Sequence, residues 1–197
     1  EKKEDSTLAA AVSLNKAEPA KAATRKEIRF PVRREYEASE AIRTLAFWVF
    51  NFMVALYGLI ATAYTFHIEA VGQELGLDRS QALGIFFPIA VVTVGFNFLA
   101  GWLSDQFRLK WLGLQMGIFM LLGMVGMVMM PSPWAWWIWV IGFGATQGYY
   151  GTLVGVTWPR LFGRKHLGEI SGINMSTMVF SSALGPILFS VSQRYTK

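Results

Sequence analysis

Asp105 lies in the run Gly101-Trp102-Leu103-Ser104-Asp105-Gln106-Phe107-Arg108-Leu109-Lys110, with basic residues three and five positions after it. The chemistry of this run is electrostatic. Asp105 falls where a helix ends, beside that helix's negative pole, which is an unfavourable place for a carboxylate. It needs a cationic neighbour or the positive N-terminal end of another helix. Gly101, without a side chain, lets a neighbouring helix come close. A second set of residues is neutral: Tyr57, Tyr64, Asn97, Gln147, Tyr150, Asn174 and Ser181, all inside long apolar stretches. Such groups hydrogen-bond either a small solute or one another, and for each residue both readings stay open. The usual materials of catalysis are missing. The chain has no cysteine, the stretches hold no Asp, Glu or Lys, and of the two histidines only His67 borders one. A membrane enzyme would have neither a nucleophile with its base, nor paired carboxylates, nor a metal cluster, and no metal or cofactor is expected.

The elements that must position these groups are five uncharged stretches: Ala46–Phe66, Leu83–Leu103, Trp111–Met130, Trp134–Trp158 and Ile170–Ser192. A helix of about 20 residues rises roughly 30 Å, the thickness of a bilayer's hydrocarbon core. Lipid offers no water to a backbone amide, so each stretch is forced into helix. The expected fold is therefore all-α, a polytopic membrane bundle of five transmembrane helices. Pro88 and Pro186 fall inside stretches and are expected to bend them. Pro131 and Pro133 mark a tight turn, Trp158-Pro159 ends the fourth helix, and Asp78-Arg79-Ser80-Gln81 has capping-box form. Gly113 with Gly117, Gly144 with Gly148, Gly151 with Gly155 and Gly168 with Gly172 are each four apart, the spacing that lets helices approach closely. Gly142-Phe143-Gly144 has the look of a phosphate loop, but no strand precedes it and it sits in an uncharged span. The third stretch, Met-rich and almost wholly apolar, is expected to face lipid.

The formal charge of +5 and mean hydropathy of +0.38 hide a division within the chain. Ten of the eighteen Lys and Arg lie in residues 1–45, beside the spans, so topology explains the basic balance better than nucleic acid does. Glu1–Glu27 is rich in Ala, Lys and Glu and reads as disordered, and 33–45 as a surface helix feeding the first span. Counted by side, ten basic residues fall at one end: Lys26, Arg29, Arg33, Arg34, Arg43, Arg108, Lys110, Arg160, Arg164 and Lys165. Only Arg79, Arg194 and Lys197 fall at the other. The positive-inside rule puts the ten, and the N-terminus, in the cytoplasm, with the protein in the inner or plasma membrane. The eight tryptophans all fall at expected headgroup depth. His67 and Glu69, two apart on the first helix, read as a solvated mouth.

The run Gly101–Lys110 resembles the signature loop of the major facilitator superfamily, Gly-x-Leu-x-Asp-x-x-Gly-Arg-Lys/Arg, in the copy between its eighth and ninth helices. Gly101, Leu103, Asp105 and Lys110 match; Arg108 stands at the second Gly and Leu109 at the Arg. Ser39–Trp48 resembles the approach to the seventh helix in the monocarboxylate and oxalate/formate branch. Trp158–Gly172 resembles the connection between the tenth and eleventh. The resemblance covers Arg33 to Lys197.

It implies that residues 1–45 are a central cytoplasmic loop, that the spans are helices seven to eleven of a twelve-helix transporter, and that 193–197 lead to a missing last helix. It implies a fragment of a secondary transporter working by alternating access, whose partners are the bilayer, an absent six-helix half, a small solute and, as an open point, a coupling ion. Nucleic acid is not among them. On this reading Gly101, Asp105, Arg108 and Lys110 form a gate, with Asp105 reaching the start of the eleventh helix near Gly168–Ile170. Gln147 and Asn174 are the first choices for solute contacts. The related branch carries a basic residue in the eighth or eleventh helix, and this chain has none there. Either the missing half supplies the charge or the solute is not a simple organic anion. A small structural or assembly subunit without transport is the alternative. Gln106→Cys and Gly163→Cys, each introduced singly, should be labelled from the same side of the membrane; labelling from opposite sides would undo the topology.

Overall fold

The computed structural model describes residues 34–196, apart from 75, 77, 130 and 131. The reading of Glu1–Glu27 as disordered lies outside the described residues. Helix is the only regular structure among those described, in the order α1 (Ala38–Ala41), α2 (Leu45–Glu74), α3 (Arg79–Gly84), α4 (Phe86–Gln106), α5 (Leu109–Val128), α6 (Pro133–Phe162) and α7 (Leu167–Thr196). Residues 34–37 are not helical, and within 33–45 only the single turn α1 precedes α2. The Thr44 hydroxyl accepts the Phe47 N–H at 3.2 Å, a side-chain cap that starts α2.

Among the described residues, three helices are long and apolar enough to cross a membrane: Leu45–Gln73, Ala82–Gln106 and Leu109–Val128. The sequence reading expects five. The helices α6 and α7 have 30 residues each. They carry Trp, Tyr and Gly, or Ser, Thr and Asn, where the other three carry aliphatic side chains. Freedom from charge is a weaker property than apolarity, and the two measures part here.

Pro186 lies inside α7 as expected, but Pro88 acts differently from a simple kink. Pro88 stands third in α4, and its absent N–H would have paired with Gly84, where α3 ends. It therefore punctuates the chain between α3 and α4, in a first turn that leaves N–H groups unpaired anyway. Pro133 opens α6, as a first-turn proline should. Pro159 does not end α6. The helix continues one turn to Phe162, and Gly163, at φ +88°, ends it instead.

The helix α6 is held on two sides, by α4 and by α5, while α2 packs against α7. Glycines set these distances. A Cβ on Gly142 would enter the backbone of Gly123 on α5, and one on Gly126 would sit 2.5 Å from the Trp139 nitrogen. Gly144 and Gly148 close α6 onto α4, with the Thr93 carbonyl 2.7 Å from a Cβ on Gly148. Gly185 meets the Leu59 carbonyl on α2. Of the four expected pairs, only Gly144 with Gly148 seats a helix at both positions. Gly117, Gly155, Gly168 and Gly172 have nothing within 4 Å. Spacing identifies a smooth face; it does not supply the helix opposite.

Three aromatic layers fill the interior along α6: Trp158 and Phe162 at one end, Tyr149 in the middle, and Trp139 with Phe143 at the other. Trp139 and Trp158 are thus core residues, each 2% exposed, and not headgroup anchors. The remaining apolar surface is organised. On α5, Trp111, Leu114, Ile118, Leu121, Val125 and Val128 are all exposed at alternating three- and four-residue steps. That is one face of a helix in an apolar solvent. The opposite face carries Leu112, Met116 and Met120 and is buried, so the third span faces lipid on one side only.

Gly142→Ala should lower the thermal unfolding midpoint of the detergent-solubilised chain, at a cost of about 1–3 kcal/mol for overpacking. Gly155→Ala, with open space and a better helix former, should hold or raise it. Equal behaviour of the two variants would refute the α5–α6 contact.

Candidate functional site

Two places gather the polar groups. The first is the basic end of the bundle, where the α4–α5 and α6–α7 turns meet the start of α2. The α4–α5 turn is short: Phe107 is extended and its N–H donates to Leu103 O at 2.8 Å, and Arg108 O accepts the Trp111 N–H at 2.9 Å. Asp105 does find a cation, but it is Arg160, from the last turn of α6, with Nη2 donating to Oδ1 at 3.2 Å. Nη1 of the same guanidinium donates to the Ser104 carbonyl. Arg160 therefore answers both the carboxylate and the negative pole of α4 that made Asp105 unfavourable. Arg160 is largely covered and Asp105 largely exposed, so the pair itself contributes about 0.2–1 kcal/mol at most. Lys110 sits over the Trp111 ring at 5.6 Å. A Cβ on Gly101 would meet nothing within 4 Å, so no described helix uses the room this glycine leaves.

The second place is mid-helix. Tyr57 on α2 and Tyr150 on α6 stack at 4.2 Å, and the Tyr150 hydroxyl donates to the Met178 sulfur on α7 at 3.0 Å. Tyr64 lies in the aromatic layer of Trp139 and Phe143, 4.5 Å from Phe143 and 6.1 Å from Trp139. Asn97 and Gln147 are exposed, on the adjoining helices α4 and α6. The Asn97 amide donates to Gly148 O at 3.2 Å, and the Thr93 hydroxyl lies 3.4 Å from Gln147 Oε1. Thr152 donates to the Asn97 carbonyl at 3.2 Å. Gly151, exposed beside them, leaves the Asn97 amide room that a Cβ would take. Ser181 is half-buried on α7.

Asn174 is fully buried. Its Nδ2 donates to Asn51 Oδ1 at 2.8 Å, joining α7 to α2, and its own Oδ1 has no hydrogen-bond partner. The two first-choice residues are thus separated: Gln147 is open to a solute and Asn174 is closed off from one. The sequence reading missed Asn51, Thr93, Thr152 and Arg160. Asn51 and Thr93 carried the same signal as Asn97, a polar group in an uncharged stretch; Arg160 was counted only for topology. Among the described residues no group of His, Asp and Glu is placed to hold a metal. At the other end of the bundle Glu69 pairs with Arg79 at 2.9 Å, and His67 lies 3.4 Å from the Pro186 carbonyl.

The family model of the Major Facilitator Superfamily matches residues 6–186. The chain belongs to that superfamily. It is an integral membrane protein, and the loop around Asp105 sits within the matched region. A relative from Bacillus subtilis (strain 168), described as the uncharacterized MFS-type transporter YxiO, is 28% identical over 149 residues. That match takes in 70% of this chain and 35% of the relative, so the chain spans about a third of the length of the curated relative it matches. No solved structure matches.

Asn51→Leu and Asn174→Leu should each destabilise the superfamily chain by about 1–3 kcal/mol, because each leaves a buried amide without its partner. The double variant, apolar on both sides, should recover much of that loss. Strict additivity in an unfolding titration would show that the two amides do not act as a pair.

Proposed function

We propose that the chain belongs to the C-terminal half of a secondary transporter that moves a small solute by alternating access, with α2, α4, α5, α6 and α7 as helices seven to eleven. One observation carries this reading: Thr93, Asn97 and Gln147 form an uncharged hydrogen-bonding wall on a face that no described helix covers. Polar groups exposed at membrane depth are costly unless they meet a cavity, a solute or another protein face. The absent half of the transporter would close that cavity. On this reading α6 and α7 also cross the bilayer. Their 30 residues rise about 45 Å, enough to pass its core and emerge. The basic end faces the cytoplasm under the positive-inside rule. The alternative, a structural subunit, gives the exposed amides no role.

The wall offers neutral donors and acceptors and no charge, which favours a neutral solute unless the other half supplies a cation. The motifs at 39–48 and 158–172 resemble the monocarboxylate and oxalate/formate branch. Asp105 with Arg160 is the cytoplasmic gate. A pair of this strength can bias the equilibrium between inward- and outward-open states but cannot impose it, because full reversal of a two-state population takes about 5.5 kcal/mol.

An uptake screen of cells expressing the full-length protein, at two pH values, would identify the solute and any proton coupling. Gln147→Leu should then weaken uptake about tenfold, the loss of one or two hydrogen bonds, at unchanged membrane abundance. Asp105→Ala should slow uptake while insertion is preserved. Normal uptake by both variants would remove the wall and the gate from the mechanism.

A further inference from the structure

We propose that residues 34–41 are a strap that fastens the α6–α7 turn to the start of α2, with the Glu35 carboxylate as its catch. Glu35 Oε2 accepts two backbone hydrogen bonds, from Arg164 N–H at 2.8 Å and Lys165 N–H at 3.0 Å. The next residue, Tyr36, donates its N–H to Phe162 O at 2.9 Å and sets its ring edge-on to Phe162 at 5.6 Å. One turn later Ala41, fully buried, joins the cluster of Phe47, Trp158, Phe162 and Ile170. The strap thus holds both sides of the turn: the last carbonyl of α6 and the amides that follow Gly163.

The local chemistry explains why this contact is more than surface packing. A helix end leaves carbonyls unpaired, and a turn of successive N–H groups forms a concave, anion-seeking surface. Here both needs are met from a segment well over a hundred residues earlier in the chain. Gly163 makes the fit possible twice over. Its φ of +88° turns the backbone, and a Cβ there would collide with the Glu35 carboxylate. Carboxylate-to-amide bonds are charge-assisted and stronger than neutral ones. The strap is also shaped from within. Arg34 pairs with Glu40 and lies 5.2 Å over the Tyr36 ring, and Glu37 N–H donates to Glu40 Oε2 at 3.3 Å.

The consequence is mechanical. Arg160, two residues before Phe162, is bonded to Asp105 at the end of α4. With the strap docked, the last turn of α6 is held to α4 by Arg160 and to the segment leading into α2 by Tyr36, while Glu35 holds the amides just beyond it. The three helix ends then move as one body, and release of Glu35 frees the α6–α7 turn alone. This inference does not depend on what the protein transports.

Backbone hydrogen exchange on the full 197-residue chain in lipid nanodiscs reads the catch directly. In Glu35→Ala the Arg164 and Lys165 amides should exchange about tenfold faster, with α5 amides unchanged. Glu35→Gln, which keeps an acceptor without the charge, should fall between. Unaltered exchange in Glu35→Ala overturns the proposal. Should that variant fold poorly, a second measurement stands on its own. The chain has no cysteine, so Arg34→Cys with Lys165→Cys, which leaves the Glu35 carboxylate in place, gives a unique thiol pair. A short bifunctional thiol reagent should join the two within one molecule. Reaction at both thiols without a cross-link overturns the strap.

Discussion

In hydrocarbon a backbone N–H finds no water, and a helix is the arrangement that supplies its partner from the same segment. The same scarcity governs side chains. Thr65, Thr93, Thr146, Ser171, Ser176 and Thr177 each donate to the carbonyl four residues earlier, at distances between 2.6 and 3.0 Å. Hydroxyls are short enough to satisfy themselves on their own helix. Amides and phenols are longer and reach across, Asn97 to α6, Asn174 to α2 and Tyr150 to α7, and where α4 and α6 lie closest the Thr152 hydroxyl crosses as well, to the Asn97 carbonyl. The serine-rich α7 is therefore polar in sequence, yet among its described side chains Asn174 is the one that donates to another helix.

Helix association in lipid lacks the usual hydrophobic drive and relies on close backbone approach. That places the demand on α6, which must be smooth on two faces at once. Gly142 meets α5, while Gly144 and Gly148 meet α4. Between and below these glycines the helix carries the aromatic layers. Its exposed middle, Gln147 and Gly151, is left for the wall. One helix thus supplies the contact surface, the core and the candidate solute face. Its last turn supplies Arg160 and Phe162 as well. A change in α6 is felt in all four.

Much of this was legible from residue types. Hydrophobic length gave the helices, Asp105 at a helix end called for a cation or the N-terminal end of another helix, and the polar residues of the spans included Asn97 and Gln147. What spacing alone could not give was the partner. Gly113 with Gly117 and Gly144 with Gly148 look alike in sequence, yet only the second pair seats a helix at both positions. Asp105 has Arg108 and Lys110 nearby in the chain, yet its ion pair is with Arg160, fifty-five residues on. Asn174 and Gln147 are both mid-span amides, one buried against Asn51 and the other exposed. The Glu35 contact had no sequence signal at all, because a carboxylate that binds backbone amides needs no particular residue opposite. In each case the residue fixes the need, and the tertiary fold decides what meets it.

Arg160 shows how these needs are combined. The C-terminal ends of α4 and α6 lie side by side, so two negative poles and the Asp105 carboxylate share one small region. One guanidinium, planar and with donors on two edges, can meet the Ser104 carbonyl and Asp105 together; a lysine ammonium would meet them only as a point charge. The next turn of chain has the opposite sign, since the amides of Arg164 and Lys165 point outward, and there the protein places a carboxylate. The alternation of cation at the helix ends and anion at the turn leaves each unpaired backbone group facing its complement. It also means that neither contact can be made by α6 alone. The end of α6 is completed by α4 on one side and by the segment leading into α2 on the other, and a motion that parts these elements must break charge-assisted bonds in sequence.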